Sequence, residues 1–408
     1  MLTLWKSGNE AKYLASIIFI MVLVGYPIFA GITLFIGVES NFLSIIYRII
    51  ILIAAILLLL ISWLRRRPRV NYKILIGAGF LFFYIARMLL EWLMNSQGSK
   101  IDWGDFWSFL IFVSLIPALP YVWKENIPDE NFTTIAIVLF GIIGIILNFY
   151  LAISVADSLS FGEQLFSGRL ESERLNPIAY GHLGASTALV GLWMMIIKKN
   201  MSFLAIIGAA IGVLGIFASG SRGPLLSFVV CLILMLMQFR FSRVKFIFIF
   251  SVILSIFFLL NFVVDFNDVY LLNRAEASMF EDDARVNIIG DAYRAFLNNM
   301  LIGAGYPFDV YPHNIILEAF MASGIIGGSL MVFTLMVGLF ASMRVMRNNK
   351  FSWVSLLFVQ YLTFSMVSNS IYYSNIFWML WVCVVILGAS KSFEKTRSEI
   401  RVNDRMAG

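Results

Sequence analysis

The residues best placed to do chemistry in this chain are two histidines and a few arginines. His313 stands in YPHNIILEAFMASGIIG, residues 311–327, where Pro312 stops any preceding helix and His313 and Asn314 open a long apolar run. Imidazole, with an unperturbed pKa of about 6.5, suits proton transfer near neutral pH. The positive end of a helix dipole disfavours its protonation, which leaves a neutral ring able to act as a base. Glu318 lies five residues on, about 140° around an ideal helix, and is not an obvious partner for it.

Arg222 stands in FASGSRGPLLSF, residues 217–228. Gly220 and Gly223 permit a tight reversal, and Pro224 suits the first turn of the next helix. A helix N-terminus with open N–H groups beside a guanidinium is a natural phosphate site. A hairpin whose arginine snorkels to lipid headgroups fits the spacing equally well. A third stretch, residues 281–306, repeats Val286, Ile289, Tyr293, Phe296, Leu297 and Met300 at helical spacing, with Arg285 and Arg294 off that stripe. It predicts an amphipathic helix along a membrane surface. That helix either packs as a lid or also offers Arg285 and Arg294 to phosphate. A fourth, SERLNPIAYGHLGAS at 172–186, places His182 among Gly181, Gly184, Ala185 and Ser186. Small residues favour close helix packing, with substrate contact by His182 the second reading. Arg169 and Arg174 lie among Glu171 and Glu173, and pairing with those acids competes with a substrate role for each. Arg48, Arg87 and Glu91 sit deeper, the last two at a spacing that lets them pair. No Walker loop, zinc-type His/Cys cluster or Ser-His-Asp pattern is present in the sequence. Cys231 and Cys383 fall in apolar blocks, which argues against a disulfide or a metal site.

These residues must be positioned by helices. The chain is 60% hydrophobic and 13% charged, against about 25% charged in a soluble domain. Its apolar residues come in blocks of roughly the ~20 residues that cross a bilayer. The predicted fold is all-α, a polytopic transmembrane bundle occupying residues 1–408 as a single domain. Twelve spans are read: 14–37, 43–63, 73–94, 104–123, 132–155, 177–197, 201–218, 224–239, 246–264, 313–341, 352–368 and 374–390. With alternating helices, Lys6, Lys12, Arg65 to Lys73, Lys198, Lys199, Arg240 to Lys245, Arg344 to Lys350 and the C-terminal tail share one side. That side is predicted to be cytoplasmic, with both termini. The candidate residues then fall on the opposite, periplasmic side, where 265–312 forms a large loop carrying the amphipathic helix. The basic pI reflects this topology and does not imply nucleic acid. No cleavable leader is read before the first span. The halves do not mirror each other, which speaks against an inverted-repeat transporter.

The order of motifs resembles the O-antigen ligase and O-antigen polymerase superfamily of bacterial integral membrane glycosyltransferases. The residues that carry the resemblance are SGSRGP at 219–224, Arg285 through Gly305 ending in G-x-G-Y, and PHNIILEAFMASGIIG at 312–327, with NPIAYG at 176–181 upstream. It covers roughly 170–340, the expected catalytic region. The chain departs from the family at Met300–Leu301, where a proline often precedes the glycine pair. The resemblance implies a glycan carried on a polyprenyl diphosphate and an acceptor glycan as substrates, within the bacterial inner membrane. It implies no cofactor and no metal. It casts His313 as the base and Arg222 and Arg285 as diphosphate ligands, with Arg294, Arg169, Arg174, Asn314 and His182 as further substrate contacts. Other polysaccharide-assembly proteins are the expected partners besides the bilayer. A polymerase is favoured over a ligase because the exterior segments are moderate. An exporter of the same lipid-linked sugar is the reading from another class.

Overall fold

The computed structural model describes residues 9–36, 40–65, 71–94, 101–155, 176–199, 201–238, 284–307, 311–347 and 350–390. Among these the regular structure is helical. α1 (Asn9–Ile20) runs through a π-helical turn, Met21–Gly25, into α2 (Tyr26–Ile36). α3 (Ser40–Arg65) and α4 (Tyr72–Met94) follow. α5 (Trp103–Trp107) opens a composite rod that passes through π-helical Ser108–Leu115 and α6 (Ile116–Ala118). The rest are α7 (Glu130–Val155), α8 (Pro177–Ile196), α9 (Phe203–Ala218), α10 (Arg222–Gln238), α11 (Ala284–Asn298), α12 (Ile315–Met346), α13 (Ser352–Val367) and α14 (Asn375–Gly388).

Six of these stretches are long and apolar enough to span a bilayer, and four further apolar helices are shorter, among the described residues. The predicted count of about twelve spans is not confirmed by length among the described residues. The predicted span 246–264, with residues 265–283 and 308–310 of the predicted loop, lies outside the described residues. Elsewhere the predicted ends fall within a few residues of the observed ones, except that α1 begins and α12 ends five residues beyond the predicted limits. An apolar perimeter, including Ile45, Ile49, Ile53, Leu57 and Leu60 of α3, is exposed and suits contact with lipid. The chain is an integral membrane protein in architecture.

α8 is the central helix, with 16 of its 20 residues buried. Its partner is α9, and glycines let the two backbones touch. A Cβ on Gly184 would meet Gly212 O at 2.7 Å, and one on Gly191 would meet Ala205 O at 2.8 Å. This is the small-residue packing that replaces hydrophobic drive inside a bilayer.

The bundle has two chemically different ends. At one, Lys12 pairs with Asp129 at 2.6 Å, Lys198 with Glu130 at 3.1 Å, and Lys73 lies within electrostatic reach of Arg344. Of the basic residues expected on one side, Lys12, Lys73, Lys198 and Arg344 collect there, while Lys6, Arg240 to Lys245 and the C-terminal tail lie outside the described residues. At the other end lie the starts of α8, α10, α12 and α14, with the described candidates His182, Arg222, His313 and Asn314.

Candidate functional site

His313 immediately precedes α12. Its φ is +56°, a left-handed conformation that costs a non-glycine residue roughly 1–2 kcal/mol. The surroundings hold it there. Asn314 caps the helix, its side-chain oxygen accepting from the N–H groups of Ile316 and Leu317 at 3.0 Å. The same side chain's amide donates to Met366 O at 3.0 Å. Asn314 thus anchors the turn to the end of α13. Tyr311 stands edge-on to the His313 ring at 4.7 Å. Burial, with the nearby Glu318 and Tyr373, pushes the Tyr311 hydroxyl up to about 12, so it stays a neutral donor at physiological pH.

One helical turn further, Glu318 is completely buried. Its carboxyl group accepts from the Tyr306 hydroxyl, from Ser370 Oγ at 2.6 Å and from the Ile371 N–H at 3.1 Å. Tyr306 is in turn 2.5 Å from the hydroxyl of Tyr84 on α4. Burial and the proximity of Glu318 hold the Tyr306 phenol well above its ordinary pKa. A buried carboxyl group with this many donors ties three segments together: α12, the loop before it and the α13–α14 connection. Spacing along the helix points to no partner for Glu318. Its actual partners lie 12 residues before it and 52 and 53 after it.

α12 is not continuous. Gly324 has φ +66° and ψ −163°, a region open essentially to glycine alone. The broken hydrogen bonds are taken over by the loop that precedes the helix: the Ala304 N–H donates to Met321 O, and the Ile325 N–H to Met300 O, both at 2.7 Å. Gly303, at φ +79°, lies directly against Ser323 and Gly324, where no side chain would fit. Residues 300–306 therefore dock into the break as an added segment. Arg87 locks them from α4, donating to Ile302 O at 2.9 Å and Gly303 O at 3.0 Å while pairing with Glu91 at 2.8 Å. The expected Arg87–Glu91 pair is present, and it has a further task.

Arg222 is the first residue of α10. The chain reverses at Gly220, φ +56°, and the Ser221 N–H donates to Ser219 Oγ at 3.2 Å. Gly181 of the upstream NPIAYG stretch packs on this turn, where a Cβ would meet Pro224 Cγ and Ser219 Oγ at 2.6 Å. Gly223 lies beside Val367 and Ser368. The arginine turn and the His313–Asn314 turn thus both abut residues 366–368, although 90 residues separate them in sequence.

The remaining candidates spread out. Arg294 is exposed and pairs with Asp291 at 2.6 Å. Arg285 lies in the first turn of α11, and its side chain is outside the described residues, as are Arg169 and Arg174 altogether. On α11, Ala292 is buried and Phe296 packs on Phe320, while Ile289, Tyr293, Leu297 and Met300 remain exposed as an apolar face suited to a bilayer surface. His182 is buried on α8 against Phe364, with ring centroids 4.1 Å apart. Among the described residues no cluster of three His, Cys, Asp or Glu side chains could hold a metal ion. What this end offers is two turns, one carrying His313 and one carrying Arg222, set against the same short stretch at residues 366–368.

Residues 207–332 match the family model described as O-antigen ligase. The matched span runs from within α9, through the arginine turn and α11, to beyond the break in α12, and supports the resemblance to the O-antigen ligase/polymerase superfamily. No curated protein matches the chain.

Proposed function

We propose that the protein transfers a glycan from a polyprenyl diphosphate carrier to a sugar hydroxyl, as a surface-polysaccharide polymerase at the periplasmic face of the bacterial inner membrane. The observation that carries this reading is the meeting of the Arg222 and His313 turns at residues 366–368, inside a region matching the O-antigen ligase family. In the proposed reaction the acceptor hydroxyl oxygen attacks the anomeric carbon. His313 takes the hydroxyl proton as the new C–O bond forms. The bond from that carbon to the diphosphate breaks, and the leaving diphosphate keeps the electron pair. Arg222 and Arg285 hold it and offset its growing charge. The strained, tightly anchored turn that carries His313 suits a group needed in one orientation.

A ligase, which passes the finished glycan to lipid A–core or another acceptor, is the second reading, favoured by the description of the matching family. Deletion and complementation separate the two. Loss of every band above one repeat unit supports the polymerase. Loss of acceptor-linked glycan, with polymer still on the carrier lipid, supports the ligase. Complementation to wild-type patterns by each of His313→Ala, Arg222→Ala and Arg285→Ala sinks the mechanism.

A further inference from the structure

A second site opens beside the first. A cavity of about 340 Å³ lies between α1–α2, α3, α8, α13, the composite rod after α5, and the loop before α14. Three observations give it a chemistry. The first is Arg48, inside a candidate membrane span, whose guanidinium lies 4.4 Å above the Phe109 ring and has no carboxylate in pairing range among the described residues. An intramembrane cation of this kind faces a ligand or a wet cavity. The second is His182 at the cavity wall, 2% exposed, with neither ring nitrogen hydrogen-bonded among the described residues. Such groups normally have a partner. The third is the backbone: both π-helical stretches, at Met21–Gly25 and Ser108–Leu115, contribute to the wall. Such insertions recur at functional sites.

The rest of the wall is apolar, including Ile51, Phe112 and Val113. Phe112 is 49% exposed and Ile45 and Ile49 beside Arg48 are exposed, so the mouth gives onto the apolar perimeter. Tyr373 of the cavity wall lies 6.2 Å from Tyr311, which packs on His313. One layer of aromatic rings separates the cavity from that histidine.

We infer that this cavity is a second lipid site, taking an amphiphile with a phosphate or diphosphate head on Arg48 and a hydrocarbon chain along Ile51, Phe112 and Val113. His182 gains its missing hydrogen bond from the head. The inference rests on the proposed function only for the identity of the lipid, a polyprenyl carrier. Its role is to hold one of the two lipid-anchored substrates whose glycans meet at His313.

The test counts geranylgeranyl diphosphate bound to the purified full chain by native mass spectrometry, in an Arg222→Gln/Arg285→Gln background. The expected result is one retained lipid per chain. Arg48→Gln weakens it at least tenfold, Val113→Trp removes it by filling the cavity, and Arg48→Lys keeps it within threefold. Unchanged binding in both Arg48→Gln and Val113→Trp overturns the site. So does the absence of any bound lipid in the starting background. Displacement by equimolar inorganic pyrophosphate, or equal binding of geranylgeraniol, overturns the claim that head and chain are both read. If the background variant instead binds as many lipids as wild type and still transfers glycan, the assignment of Arg222 and Arg285 fails while the Arg48 site stands.

Discussion

The two ends of the bundle use the same kinds of residue differently. At the basic end, acids sit near the surface and meet lysines one at a time: Asp129 with Lys12, Glu130 with Lys198. Pairs of this sort contribute little, because water screens them and long side chains lose freedom in forming them. At the other end, Glu318 is fully enclosed and satisfied by three segments, and the Arg87–Glu91 pair is spent on holding a loop. One end only labels a side of the membrane. The other is built so that a few residues keep one geometry.

Substitutions can break this contrast. The largest loss of stability is expected for Glu318→Leu, which removes the acceptor of the Ser370 hydroxyl and the Ile371 N–H and leaves the Tyr306 hydroxyl only Tyr84, roughly 3 kcal/mol together. Thermal unfolding in detergent reads this out, and a loss under about 1 kcal/mol would show that the network is dispensable. Gly324→Ala should follow at about 2–3 kcal/mol, since alanine resists that backbone region and would collide with Leu301 O. Arg87→Gln should cost about 2 kcal/mol and raise protease sensitivity within residues 300–306. Asp129→Asn, at the basic end, should change the melting temperature little at neutral pH. Burial works to raise the Asp129 pKa, but the hydrogen bond from Lys12, with those from the Phe132 and Asn131 N–H groups, leaves it below the ordinary value. Its contribution is therefore present above the unfolded pKa of about 4 and lost as pH falls through the lower folded value. Below about pH 4 the wild type should lose stability faster than Asp129→Asn. Parallel melting curves there would remove Asp129 from the account.

The helices could be read from composition because apolar length and loop charge are local properties. The Arg87–Glu91 pair and the small-residue face of α8 followed from spacing for the same reason. What lay beyond the sequence was long-range. Nothing near Glu318 in the chain points to Ser370 or Tyr306, so angular spacing described only what it does not face. The break in α12 was hidden too, since Gly324 sits in an apolar run with no proline, and only the docking of Met300 and Ala304 explains it. Asn314, expected at substrate, caps α12 with its side-chain oxygen and donates its amide to Met366 O of α13. Arg48 is legible in the sequence as a deep charge, but that it lines the same cavity as His182 is visible only in three dimensions.

We propose that the tied end of the bundle presents His313 to a sugar hydroxyl. The direct measurement uses purified protein with a labelled lipid-linked oligosaccharide, scoring binding and transfer separately. Wild type should bind and transfer, whereas His313→Ala should bind within about threefold and transfer at least a hundredfold more slowly, the upper part of what a positioned base contributes. Transfer by His313→Ala at the wild-type rate would contradict the account.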